Sequence, residues 1–248
     1  MDIHIALGAE HLGTLWGIPI TNTLVMSWVV VFVLCTFAVI IGSRIKMVPG
    51  KGQVLVESAI GGAYGFMEET LENKALVKKV FPIIFTIFIF IFTANLIQFI
   101  PGVGSIGFFE LHGEKMEFVA LFRSLNTDIN TTLALAIIAF ILIEVAGVAV
   151  LGFLKYFKKF VNFSSPLGFC IGIIDLFSEV ARLVSFSFRL FGNIFAGEVV
   201  IMILGSFVPV ILPVPLMLFE VFVGFVQAAI FALLTLIFIK IAITEAEH

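Results

Sequence analysis

The chain reads as long apolar runs cut by short polar segments, and the lengths of those runs predict its elements. Residues 21–42 are rich in Leu, Val, Phe and Ile and carry no charge. At about 22 residues they can cross a hydrocarbon core of about 30 Å as one helix. Arg44, Lys46 and Lys51 follow, with Pro49-Gly50 as a helix breaker. Residues 80–101 predict a second span, with Pro82 in its first turn and Pro101-Gly102 at its end. Residues 129–154 predict a third. It is entered through Asn126-Thr127-Asp128-Ile129-Asn130-Thr131, which offers capping side chains, and it is closed by Lys155, Lys158 and Lys159 before a Ser164-Ser165-Pro166 break.

Residues 53–73 follow another pattern. Val54, Leu55, Ile60, Tyr64, Phe66 and Met67 are interleaved with Glu57, Glu68, Glu69 and Glu72. The run is too broken to span and predicts an amphipathic helix lying along the interface; the alternative is a helix outside the membrane packed on the other spans. The last third holds two longer runs, 167–207 and 216–244, separated by Pro209, Pro213 and Pro215. Forty helical residues reach about 60 Å, about twice the hydrocarbon thickness. Two spans with a tight turn would also fit that length, but no Gly-Pro or charge cluster divides the run. The expected fold is an all-α polytopic membrane protein, a single membrane domain. It has three ordinary transmembrane helices, one interfacial amphipathic helix and a hairpin of two long tilted helices. Residues 1–20 and 102–128 are left as an N-terminal segment and a polar loop.

Composition agrees. The 248 residues are 61% hydrophobic and 12% charged, whereas a soluble domain is nearer half apolar and a quarter charged. A net charge of −3 without a basic tract gives no reason to expect nucleic acid. Cys35 and Cys170 lie in apolar runs and read as packing residues. Residues 1–20 carry Asp2 and Glu10 but no Lys or Arg, so the first apolar run is expected to be a retained span and not a secretory signal. Basic residues gather after the first span (Arg44, Lys46, Lys51, Lys74, Lys78, Lys79) and after the third (Lys155, Lys158, Lys159), against Lys115 and Arg123 on the other side. This asymmetry puts the N-terminus outside and the basic loops in the cytoplasm or its equivalent.

Polar residues inside the apolar runs carry the candidate chemistry, because a charge at membrane depth is expensive and kept for function. At about 100° per residue, Asp175, Ser178, Arg182, Ser185, Arg189 and Asn193 form one stripe, with Glu179 beside it. Ala181, Ser185, Gly192 and Ala196 add small side chains near that face, a pattern that lets another helix approach. Glu198 lies nine residues beyond Arg189, about 180° round the helix and about 13 Å along it, so the two address different surfaces. On the last helix Glu220 and Gln227 share a face near Gly224, Ala228 and Ala232. Folding the hairpin near Leu212 puts Gln227 toward the level of Arg189 and matches Glu198 only loosely with Glu220. Asp175, Glu179 and Arg182, at successive spacings of four and three, can instead form internal pairs that make Arg182 mainly structural. Glu144, deep in the third span, either lines an aqueous path or pairs with another helix. Asn95 and Gln98 read as interfacial or interhelical hydrogen-bonders.

No Walker loop, zinc spacing or nucleophile elbow is present. His4, His11, His112 and His248 all lie outside the apolar runs. Carboxylates, Arg, Asn and Gln in apolar helices suit the movement of protons or ions. A secondary transporter would show internal repeats and a midplane site; no repeat is visible and the polar groups crowd into the last third. A purely structural membrane subunit would tolerate change at Arg189.

The stretch from Ser185 to Glu198, with Arg189-Leu190-Phe191-Gly192-Asn193 followed by Ala196-Gly197-Glu198, resembles the a subunits of F-type ATP synthases. Phe225-Val226-Gln227-Ala228, Asp128-Ile129-Asn130-Thr131-Thr132, Ala94-Asn95-Leu96-Ile97 and Ile100-Pro101-Gly102 share the resemblance, which covers essentially the whole chain from the first span. It implies a non-catalytic stator subunit of the F0 sector in a bacterial inner membrane, or alternatively an organelle inner or thylakoid membrane. The implied partners are a ring of c subunits, a b-subunit peripheral stalk and the rest of the F1F0 complex. The implied cargo is protons or, in the alternative, Na⁺, and no cofactor or metal is implied. Arg189 matches the family's essential Arg, Gln227 the Gln facing it and Asn193 the motif Asn. Glu198 matches the acid of the outer half-channel, where Glu220 stands in place of a His found in some members. Asp175, Ser178, Arg182 and Ser185 match the cytoplasmic path. Asn95, Asp128, Asn130 and Glu144 are accessory candidates, and Glu144 matches no motif of the family.

Overall fold

The computed structural model describes residues 9–15, 17–100, 103, 106–112, 115–160, 166–209 and 211–244. The chain is mainly helical, with α1 (Asn22–Ser43), α2 (Lys51–Leu71), α3 (Lys74–Ile97), α4 (Ile129–Leu151), α5 (Phe153–Phe160), α6 (Pro166–Phe207) and α7 (Pro213–Thr244). Among the described residues five helices, α1, α3, α4, α6 and α7, are long and apolar enough to cross a membrane. The chain is an all-α polytopic membrane protein with two short antiparallel hairpins added: β1 (His11–Leu15) with β2 (Ile18–Thr21), and β3 (Gly107–His112) with β4 (Lys115–Ala120). The expected polar loop 102–128 thus contains a strand pair, and so does the N-terminal segment. The expected breaks at Pro101-Gly102 and Ser164-Ser165 lie outside the described residues.

Local chemistry sets the helix ends. Asn73 caps α3, its Oδ1 accepting the Leu76 N–H at 3.0 Å. The helix therefore starts at Lys74, earlier than expected, and Pro82 lies inside it, not in its first turn. The proline ring forfeits one backbone hydrogen bond there. Asp128 caps α4: one carboxylate oxygen accepts the Asn130 N–H at 3.0 Å and the other the Thr23 hydroxyl at 2.9 Å. That helix ends at Leu151, short of the expected 154, because Gly152 takes φ +83°, a conformation that glycine adopts without a Cβ clash. Lys155 and its neighbours belong to the separate helix α5. Glu72, at φ 52°, ends α2 in the same left-handed region. α6 runs unbroken for 42 residues, so the single long helix replaces the alternative of two spans. Pro213 and Pro215 sit in the first turn of α7, where a missing N–H loses no helical bond.

The chain divides into two compact units, one of Met1–Ile40, Ile89–Thr132 and Phe188–Ala229, the other of Ile41–Phe88, Leu133–Ser187 and Ile230–His248. In the first, Met26 and Val30 of α1 pack with Ala94, Ile97 and Leu125. In the second, α3 buries Val77, Val80, Ile84 and Ile87, and α4 buries Leu135, Ala136, Ala139, Ile143 and Ala146. α2 buries only Met67 and Leu71 and exposes Val54, Leu55, Ile60 and Phe66. Glu72 at its end accepts from Lys240 of α7 at 3.0 Å. Outward-facing Phe32, Phe37, Ile141 and Phe177 suit a lipid solvent, in which helices satisfy their own backbone.

Candidate functional site

In the first unit, α6 and α7 run antiparallel in close contact. Gly205 meets Pro213, and further from the turn Gly197 meets Glu220. The approach at Gly197 depends on a missing side chain: the Glu220 carboxyl fills the space a β-carbon would need. Gly224, one turn further along α7, is used in the same way. A β-carbon there would lie 2.8 Å from the Asn95 Cβ. Asn95 is fully buried, donates to the Gly224 carbonyl at 3.0 Å and accepts from Asn126 at 2.7 Å. Asn95 therefore locks α3 to α7. Asp128 is a helix cap, and Asn130, exposed, hydrogen-bonds back to it at 3.1 Å.

Glu198 and Glu220, only loosely matched by counting from the hairpin tip, line one cavity of about 450 Å³. Each has a buried Oε2 without a hydrogen-bond partner, and Glu220 is 8% exposed. At about 30 Å³ per water the space suits a cluster of waters. Its wall also carries Glu10, Asn22, Gln98, Arg123 and Ser124. The Arg123 guanidinium acts electrostatically on the Glu198 carboxylate, and the Ser124 hydroxyl donates to Gln98. Sequence reasoning did not find Glu10, Asn22, Arg123 or Ser124. Glu10 and Asn22 lie near the N-terminus and Arg123 and Ser124 about 100 residues further on, and the one available signal was that all four lie at or before the start of a span on the same side.

On the opposite face of α6, Arg189 and Asn193 are exposed. Ala196 is exposed too, and nothing lies within 4 Å of where a Gly192 β-carbon would be. Gly192 and Ala196 thus leave open space on this face, and Gly197 and Gly224 supply close approaches inside the chain. Stepping about eight residues along both helices from the Gly197–Glu220 contact brings Arg189 to the level of Ala228, so half-buried Gln227 is next to that level.

In the second unit the same helix carries Asp175, half-buried, and Ser178 and Ser185, exposed. The Ser178 hydroxyl donates back to the Ile174 carbonyl at 2.9 Å. Arg182 is turned inward. It pairs with buried Glu179 at 2.7 Å and lies 4.1 Å over the Phe238 ring. Glu144 is half-buried, with its Oε1 buried and unbonded. Beside it is Tyr156 of α5, 2% exposed, whose ring fills the space next to Gly147. Burial pushes the Tyr156 hydroxyl well above its ordinary pKa, and the Glu144 carboxylate adds to the effect. No group of three or more metal-ligating side chains occurs among the described residues.

The ATP synthase A chain family matches residues 24–240. The chain is 32% identical to the ATP synthase subunit a of Moorella thermoacetica, over 92% of each chain. It is 34% identical to an ATP synthase subunit a of Syntrophotalea carbinolica, over 96% of this chain and 90% of that one. With the subunit a of Geotalea daltonii the identity is 33%, over 96% and 95%. The family match over most of the chain, and these relatives at 32–34% identity, show that the chain belongs to the ATP synthase A chain family.

Proposed function

We propose that the chain is the ion-translocating stator of an F0 motor, with two offset aqueous half-channels that deliver protons to and from carboxylates of a rotating c ring. The observation that carries this is the division of α6. Arg189 and Asn193 are exposed on one face with open space at Gly192, while Glu198 on the other face shares a cavity with Glu220. An exposed stripe of small residues around a guanidinium fits a partner helix bearing an acid. The Arg189 guanidinium is a cationic, donor-only group with a fixed fork of N–H donors. It holds a deprotonated ring carboxylate and blocks a direct leak between the half-channels. Gln227, close to its level, supplies an amide to the same contact.

The cavity with Glu198 and Glu220 serves as the half-channel on the side of the N-terminal segment. Asp175, Ser178 and Ser185 line the half-channel on the side of the basic loops, which is cytoplasmic by the positive-inside rule. Arg182, held by Glu179 and Phe238, shapes that path without entering it. The subunit is not itself catalytic and works within the F1F0 complex of a bacterial inner membrane, beside the c ring and held by the b stalk. The test is Arg189→Ala in the assembled complex. ATP-driven pumping should be lost while the subunit still assembles; normal coupled pumping would refute the mechanism.

A further inference from the structure

The cavity wall draws its carboxylates from three separate stretches: Glu198 from α6, Glu220 from α7 and Glu10 from the segment before β1. We propose that Glu10 is the outermost proton-exchanging carboxylate of this cavity, passing protons between bulk water and the Glu198–Glu220 pair. The inference rests on the half-channel reading above and adds a residue to it.

Position is the first reason. Glu10 is half-buried and lies outside every membrane-spanning helix, so it meets both bulk water and the cavity. Fixation is the second. Asn22, 1% exposed and first in α1, bonds Glu10 at three points. Its Oδ1 accepts the Glu10 N–H at 3.2 Å, its own N–H donates to the Glu10 carbonyl at 3.2 Å, and its Nδ2 donates to the Glu10 carboxylate at 3.3 Å. The same Nδ2 lies 3.4 Å from the Ala120 carbonyl. The carboxylate is thereby held at a set place relative to the α1 span.

Charge is the third reason. Among the described residues, the other ionisable groups on the wall are Arg123, Glu198 and Glu220; His11, next in sequence, is exposed. One guanidinium against three carboxylates gives the wall an acidic surplus that draws cations inward.

The step balances simply. A hydronium or buffer acid protonates the Glu10 carboxylate. The acid then gives its proton to cavity water, which passes it to Glu198 or Glu220, and Glu10 returns to its starting state. The reverse order serves outward flow. The need for such a collector grows as protons become scarce. At pH 8, with about 10⁻⁸ M protons, even a diffusion limit of about 10¹⁰ M⁻¹s⁻¹ allows only about 100 direct arrivals per second.

The experiment compares Glu10→Gln with wild type in the assembled complex, reconstituted in vesicles. It measures passive proton conduction while the pH on the N-terminal side is varied. Gln keeps an acceptor for Asn22 but cannot exchange a proton. The expected result is a several-fold loss at about pH 8.5 that shrinks toward none at about pH 6, with Glu10→Asp restoring the wild-type profile. Conduction equal to wild type at every pH overturns the proposal, as does a loss that is independent of pH and not restored by Asp. Arg189→Ala run alongside separates the two readings. If it abolishes pumping while Glu10→Gln changes nothing, only the role of Glu10 fails; if it pumps normally, the half-channel mechanism fails with it.

Discussion

Gly197→Ala isolates the geometry of the acid-lined cavity from the stability of the helices. The added methyl would overlap the carboxyl of Glu220, the far end of a flexible side chain, so that side chain moves and the backbones need not separate. Alanine gains about 1 kcal/mol over glycine in a helix interior. Displacing Glu220 from its rotamer costs about 0.5–1.5 kcal/mol. The two nearly cancel, so assembly and the thermal midpoint of the complex should stay close to wild type. Function should not, because a misplacement of about 1 Å in a proton-transfer group can cost about 100-fold. A fall of about 10- to 100-fold in passive conduction and ATP-driven pumping is expected. Restoring space with Glu220→Asp in the same chain should recover part of that loss, so the two substitutions should be clearly non-additive. Wild-type conduction in the single variant would falsify the claim that Glu220 is functionally seated at Gly197. Loss of assembly would show that the helices, and not the carboxyl, give way.

Further outcomes follow from the same geometry. Glu198→Gln and Glu220→Gln combined should slow conduction far more than either alone, measured as pH-gradient decay in vesicles; small additive effects would argue against a shared path. Tyr156 gives a pH dependence. Its hydroxyl is held well above the ordinary value of about 10, because the folded state buries the neutral form and the Glu144 and Glu179 carboxylates oppose its ionisation, against a smaller opposing pull from Arg182. Its contribution to stability is complete below about pH 10 and is lost as the pH rises through the higher folded value. The thermal midpoint of the complex should therefore fall more steeply above pH 10 for wild type than for Tyr156→Phe; parallel curves would refute the burial argument.

The spans were legible because apolar runs of twenty or more residues with few charges leave few alternatives. The pairing of Glu179 with Arg182 was also visible, since residues three apart share a helix face. The start of α3 was not, because Lys78 and Lys79 looked like a boundary. Asn73 supplies the cap instead, and long lysine side chains tolerate a place inside the helix. The strand pairs were missed because alternation in Lys115–Ala120 is short and broken by Val119-Ala120. At the candidate site, Arg189, Glu198 and Glu220 stood out as charges in apolar sequence. Glu10, Asn22 and Arg123 did not, because polar residues at the ends of spans are ordinary and only the tertiary fold gathers them. Gly197 was equally silent: its lack of a side chain matters only beside Glu220.

The length of α6 also sets how depth changes along it. Its 42 residues make a rod of about 63 Å, which fits within a hydrocarbon layer of about 30 Å only when inclined about 60° from the membrane normal. Each residue then changes depth by about 0.7 Å, and the four residues from Arg189 to Asn193 by about 3 Å, roughly half the change along an upright helix. Lateral travel across such a shallow ramp exceeds vertical travel. A carboxylate sweeping past in the membrane plane would remain near the Arg189–Asn193 face over a longer arc than an upright helix offers, and it would meet the two ends of the stripe at different depths.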